Sequence, residues 1–271
     1  MVIPKPLCTC RVCREARAKG FPYERTGPSA YLHDLHLLID APAEVAAQLN
    51  RAGIGRVDFL IFTHLDPDHV EGFRIVEQIA LDFRTWRAYP EKSIRLLLPK
   101  ELDERIGQIS TWYGPVIDFY QEQGFVEPMV FKDEIKIGEV AIKAVLVERD
   151  SRPVFIYVFE NDGRRIVYAP CDLKPFPVER SEVQAADLLV IQPGLFETGL
   201  KHGFAYPEDH ISRTTIYTFE QTLELARQIR ARRIVFTHLE EYWNRSYDDY
   251  LQMESRFNHV HFAHDGMEVT V

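Results

Sequence analysis

Short apolar runs of strand length recur along the chain. They fall at 35–39 (LHLLI), 57–62 (VDFLIF), 94–98 (IRLLL), 140–147 (VAIKAVLV), 154–159 (VFIYVF), 165–169 (RIVYA), 187–191 (DLLVI), 233–237 (RIVFT) and 259–263 (HVHFA). Asn161-Asp162-Gly163 stands between two of them and predicts a hairpin, since these residues tolerate positive φ. Asp265-Gly266 predicts a second turn before a last short strand at 267–271. Helical spacing marks 42–52, which opens on proline and stops at Gly53, then 70–80, 100–109, 115–123, 218–230, and 246–257 behind a capping Ser246. Early strands, a helical middle, a hairpin-rich centre and a helix–strand–helix–strand end predict an α/β (α+β) chain. The expected architecture is two mixed sheets packed face to face with helices on the outer faces. No linker composition interrupts 1–271, so a single domain is expected, with 1–27 as a lead-in and 81–128 as a helical insertion.

Composition narrows the function classes. The 271 residues are 46% hydrophobic and 27% charged, as in ordinary globular chains. No apolar run approaches the ~18 residues that span a bilayer, and MVIPKPLCTC lacks the order of a signal peptide, so no membrane partner is expected. The charges sum to 32 − 41 = −9, which argues against coating nucleic acid through a basic face. Three of the four cysteines crowd into 8–13, which is no disulfide framework in a chain this long. A cytoplasmic metalloprotein with a small-molecule substrate is the expectation, and a homodimer is the assembly left open.

The densest chemistry is VDFLIFTHLDPDHVEG (57–72). An apolar strand runs into a tight loop that offers His64, Asp66, Asp68 and His69 before a helix. Imidazole and carboxylate at this density suit zinc, manganese or iron, and Pro67 fixes the loop's path. The competing reading is a polar helix cap, with Asp66 or Asp68 bonding free amides. Capping accounts for one aspartate and for neither histidine.

These residues resemble the first metal motif of the metallo-β-lactamase superfamily, T-H-x-H-x-D-H after a strand. VYAPCD (167–172) resembles the strand ending in the family's metal-bridging aspartate, and RIVFTHLE (233–240) the strand delivering its last metal histidine. The resemblance implies an αββα sandwich and two divalent metals, zinc, manganese or iron, sharing an activated water. It implies one site of Asp68, His69, Asp172 and His238. The other would be His64, Asp66, Asp150 and Asp172, with Glu148 the alternative to Asp150. Asp66 stands where the family has histidine, and the Asp150 region lacks the family's third-motif histidine. Added carboxylates tilt that site toward manganese or iron and make its ion a weaker Lewis acid. A degraded first site, holding one metal or none, is the competing reading.

Cys8-Thr9-Cys10-Arg11-Val12-Cys13 is a C-x-C-x-x-C knuckle, the spacing of a structural zinc site in a reducing compartment. The knuckle and the stretch up to GPSAYLHDLHLLIDAP resemble the phosphoribosyl cyclic phosphodiesterases of phosphonate breakdown. The B protein of pyrroloquinoline-quinone biosynthesis shares the knuckle type. In the phosphodiesterases a histidine completes this zinc site; here the corresponding position is Glu241. Cys171 reads as a small packed residue.

A long loop, QPGLFETGLKHGFAYPEDHIS (192–212), carries Lys201, His202 and His210 as substrate-binding candidates. The resemblance assigns His210 to the leaving group, as a catalytic residue beside Asp68. The combined expectation is a metal-dependent hydrolase using a metal-bound hydroxide on a small phosphodiester or cyclic phosphate. The alternatives are an acyl (lactone or thioester) hydrolase, an iron-dependent oxygenase in cofactor biosynthesis, and a non-catalytic metal-binding protein.

Overall fold

The leucine-rich runs of the first half assemble a mostly parallel sheet. Leu37–Ile39 pairs in parallel with Phe59–Ile61, that strand with Ile94–Pro99, and that one with Val126–Phe131. Ala30–Leu32 flanks Leu37–Ile39 antiparallel. Leu37–Ile39, Phe59–Ile61 and Ile94–Pro99 are buried at every position except Arg95, as apolar runs without alternation require. This computed structural model describes residues 2–147 and 152–271. The chain divides into two units, of which this sheet belongs to the one formed by 27–139 and 152–153.

The other unit comprises 2–26, 140–147 and 154–271. Its strands Val140–Val147, Val154–Asn161 and Arg164–Ala169 form an antiparallel meander, with the expected hairpin turn at Asp162 (φ 46°) and Gly163 (φ 74°). Leu188–Ile191, Ile234–Phe236 and Val260–Phe262 then add in parallel. The core includes Ile156, Val167, Leu189, Ile191, Phe236 and Trp243. Helix Phe219–Gln228 covers part of it through Leu225 and Ala226, and starts with a capping box between Thr218 and Gln221.

The mixed α/β class therefore stands, while several elements differ from the pattern's prediction. The helix expected over 70–80 is broken into Pro67–Val70, a 3-10 turn Glu71–Arg74 and a helix Ile75–Ala80. The cause is a close approach at Gly72. A Cβ there would stand 2.1 Å from the Pro42 carbonyl oxygen, and the Gly72 N–H donates to Ala41 O at 2.8 Å. The helical middle, 81–128, holds the helices Lys100–Ile106 and Val116–Glu122 and the strand expected at 94–98, Ile94–Pro99, but also supplies the start of Val126–Phe131, which the pattern did not predict, to the sheet. Residues 267–271 turn at Gly266 as expected and form no strand. Arg11–Lys19, which the sequence pattern did not announce, is helical. Among the described residues no helix is long and apolar enough to cross a membrane.

Candidate functional site

Phe59–Ile61 ends two residues before Thr63, and the loop that follows carries the HLDPDH residues into the helix Pro67–Val70. Asp66 occupies the N-cap position, with Pro67 behind it fixing φ, yet its side chain makes no capping bond. Its carboxylate instead lies 3.9 Å from His64 Nε2 and 3.8 Å from Arg152 Nη1. Asp68, half exposed, has a carboxylate oxygen 3.9 Å from His69 Nε2. The two imidazoles are buried, with ring centroids 4.0 Å apart. The capping explanation of Asp66 therefore fails, because the carboxylate is turned toward the imidazole.

What holds both rings is a residue the sequence reading passed over. Asp40 follows Leu37–Ile39 in a left-handed conformation (φ 59°) and is fully buried. Its Oδ1 accepts the Thr63 N–H at 2.7 Å, and its Oδ2 accepts the Thr63 hydroxyl at 2.8 Å and His69 Nδ1–H at 2.9 Å. Because the Thr63 hydroxyl donates to Asp40, its oxygen accepts from His64 Nδ1–H at 2.9 Å. One carboxylate thus fixes both imidazoles through Nδ1, directly or through Thr63. Each ring keeps Nε2 as its second nitrogen, the atom that faces the neighbouring aspartate. The signal in the sequence was an acid at the end of a buried strand, Ile39-Asp40, ahead of the Ala41-Pro42 turn.

The other unit repeats the device. Asp172 and His238 follow the strands Arg164–Ala169 and Ile234–Phe236, both left-handed at φ 56° and φ 54°. Non-glycine residues held there are strained, and such strain is concentrated at functional positions. His238 Nδ1 lies 3.0 Å from the buried carboxylate of Glu240 and 3.4 Å from Gln192 Nε2. Glu240 and Gln192 were not singled out from sequence. Cys171 is buried, as a packed residue should be.

The cysteine knuckle is a compact donor cluster. Cys10 caps helix Arg11–Lys19, its sulfur accepting the Cys13 N–H at 3.5 Å. Arg17 braces the loop by donating to the carbonyls of Cys8 (2.6 Å) and Lys5 (3.0 Å). Glu241 Oε1 lies 3.3, 3.1 and 3.5 Å from the sulfurs of Cys8, Cys10 and Cys13. A tetrahedral zinc with ordinary bond lengths has sulfur–oxygen edges of about 3.5 Å, so this donor set fits the ion. Burial pushes the Cys10 thiol up and the Cys13 thiol up to about 12. The Cys10 N–H, and after it Lys201, bring Cys8 down. Burial would raise Glu241 as well, but Lys201 and the thiols of Cys10 and Cys8 outweigh it and hold the carboxyl at about 2.

Lys201, expected in the substrate loop, is placed at this cluster: its ammonium is 2.5 Å from Glu241 Oε1 and 3.1 Å from Cys8 Sγ. His202 is exposed beside it. His210 lies elsewhere in the loop, edge-on to Tyr206, lining a cavity of about 370 Å³ with Lys174, Arg213, Glu208 and Asp209. The sequence candidates Asp150 and Glu148 lie outside the described residues.

A family model described as a beta-lactamase superfamily domain matches residues 36–239. The chain belongs to the metallo-β-lactamase superfamily. Solved structures agree on the fold. A diphosphatase from the PhnP family is 19% identical, aligned over 100% of this chain and 93% of its own, with a TM-score of 0.72. Zinc-bound PqqB from Methylobacterium extorquens is 16% identical, over 100% and 96%, also with a TM-score of 0.72. The short form of human tRNase Z is 18% identical, over 90% and 92%, with a TM-score of 0.57. No curated protein sequence matches the chain. In this superfamily member the matched span contains the HLDPDH loop, Asp172 and His238 but not the cysteine knuckle, which precedes it.

Proposed function

We propose that this chain is a metal-dependent hydrolase acting on a small phosphodiester or cyclic phosphate. The carrying observation is shared by His64, His69 and His238. Each ring has an oxygen partner at Nδ1, from Thr63, Asp40 and Glu240 respectively, which turns Nε2 outward as the donor atom. Metal-ligating histidines take this form, since the partner fixes tautomer and ring orientation. Each unit by itself offers imidazole beside carboxylate, His64 and His69 with Asp66 and Asp68 in one and His238 with Asp172 in the other, donor types suited to divalent ions of zinc, manganese or iron type. Such ions supply Lewis acidity and a nucleophilic water at neutral pH.

The chain's own residues would do the rest. Asp40 and Glu240 keep the imidazoles in the ligating tautomer. His210 accepts the Ser212 N–H through Nδ1 at 3.2 Å, which leaves Nε2 to carry the proton a leaving oxygen needs. Lys174 and Arg213 line the same cavity beside Glu208 and Asp209, two charges of each sign. The phosphoryl class is supported further by the likeness to a diphosphatase and to tRNase Z, while a net charge of −9 disfavours an RNA substrate.

The test is turnover of a panel of aryl phosphodiesters, 2′,3′-cyclic phosphates and thioesters, by native, chelator-treated and metal-restored protein. Phosphodiester turnover that is lost on chelation and regained on restoring metal is expected. Turnover confined to thioesters would overturn the substrate class, and metal-independent turnover would overturn the metal-dependent mechanism.

A further inference from the structure

We propose that Lys201 is a charge-balancing partner of the cysteine zinc site, the residue that allows a glutamate to close it. The proposal rests on reading Cys8, Cys10, Cys13 and Glu241 as zinc ligands. Three thiolates and a carboxylate carry four negative charges, so a bound zinc would leave the cluster at −2. Two of the four donors are withdrawn from water, Cys13 at 0% exposed and Glu241 at 2%, while Cys8 and Cys10 are half-buried. Charge left uncompensated in such surroundings is costly unless a partner meets it. The Lys201 ammonium sits on the edge between Cys8 Sγ and Glu241 Oε1, at 3.1 and 2.5 Å, with its side chain 17% exposed. It brings the total to −1, the value that three thiolates and a neutral imidazole would give.

The backbone partners of the sulfurs carry no charge. Cys8 Sγ accepts the Cys10 N–H, Cys10 Sγ the Cys13 N–H and Cys13 Sγ the Lys5 N–H, each a backbone amide at 3.3–3.5 Å. Arg17 spends its guanidinium on the carbonyls of Lys5, Cys8 and Cys13 rather than on a ligand atom. Lys201 thus meets the carboxylate and the nearest thiolate together. Glutamate and lysine act here as a pair that does the work of one neutral ligand. The pair also fastens the loop segment carrying Lys201 to the knuckle, some two hundred residues away in sequence.

The experiment is zinc competition against a chromophoric chelator, on the full chain, for wild type, Lys201→Met, Lys201→Arg and the double variant Lys201→Met/Glu241→His. Melting curves of each zinc-loaded protein accompany it. Lys201→Met should weaken zinc binding roughly 10–100-fold, the usual effect of losing a partner of a metal ligand. Lys201→Arg should bind close to wild type, because it keeps the charge. The double variant should recover most of the affinity although it still lacks the lysine, since histidine removes the negative charge that lysine balanced. Should Lys201→Met not fold, the arginine and double variants still decide the matter. Wild-type affinity in Lys201→Met, or a double variant as weak as the single one, overturns the proposal and leaves the zinc site standing. If wild type holds no more zinc than Cys8→Ser/Cys10→Ser/Cys13→Ser, the zinc reading fails and the proposal with it.

Discussion

Asp40→Asn isolates the part of the account that sequence reasoning did not reach. The substitution is isosteric and keeps an oxygen for the Thr63 N–H, now 2.7 Å from Asp40 Oδ1. It places an NH₂ group where Oδ2 accepts from the Thr63 hydroxyl and from His69 Nδ1. The hydroxyl can rotate. His69 can answer only by becoming the Nε2–H tautomer, which places its proton on the atom required as a metal donor. Two buried hydrogen bonds to a charged acceptor are exchanged for weaker neutral ones, a loss of about 1–3 kcal/mol. Metal affinity should fall as well, roughly 10–100-fold, as for other partners of ligating histidines. The assay is metal competition beside a thermal melt of the metal-free protein. A lowered melting point with wild-type metal affinity would refute the tautomer argument, and no change in either would remove Asp40 from the account.

The remaining predictions concern other parts of the molecule. Gly72→Ala should cost about 1–3 kcal/mol, because a Cβ meets the Pro42 carbonyl oxygen at 2.1 Å and backbone must shift; an unchanged chemical-denaturation midpoint would contradict the close approach. Arg213 clamps Glu197 through two 2.8 Å bonds and holds the carbonyls of Tyr206 and Pro207, so Arg213→Met should speed amide exchange across 197–213, which mass spectrometry reads directly. In metal-free protein the Glu241 carboxyl is held at about 2, down from 4.5. A depressed folded-state pKa gives stability that is present above the unfolded value, and is lost as pH falls from about 4.5 toward 2. Glu241→Gln should therefore flatten that acid limb in melts taken across the range; an equally steep limb would deny it. Asp66→His removes a ligand charge and should move metal preference from manganese toward zinc without the cost of a lost cap, since Asp66 makes no capping bond. Competition between the two metals, with a melt alongside, checks both halves.

Much of the fold was readable because burial and period agree. Apolar runs such as 140–147 and 154–159 read as strands and are strands, and Asn161-Asp162-Gly163 turns the second of them into Arg164–Ala169 as its residue types demand. Helix 218–230 was legible from its spacing and appears as Phe219–Gln228. The failures have tertiary causes. The break at Glu71–Arg74 follows from Gly72 lying on the turn after Asp40, a contact between segments thirty residues apart that no local window contains. Val126–Phe131 is a strand because it pairs with Ile94–Pro99, although its own sequence carries a proline and a glutamate. At the candidate site, residue types disclosed the proposed donors, since His64, His69 and the three cysteines are conspicuous at their spacing. The groups that orient those donors were silent. Asp40 and Glu240 are ordinary acids in sequence, and what distinguishes them is the ring nitrogen each one faces. Lys201 was read as a substrate residue because its loop is long, and geometry places its ammonium against Glu241.

The most direct test of the central claim is a metal titration of activity. Protein stripped by a chelator and returned to metal-free buffer is titrated with zinc or manganese while aryl phosphodiester hydrolysis is followed. The account predicts negligible turnover in the stripped protein and a rise to native turnover as metal is added. It also predicts that His69→Ala, carried through the same titration, stays inactive at every metal level. Undiminished hydrolysis by stripped protein, or full recovery in His69→Ala, would contradict it.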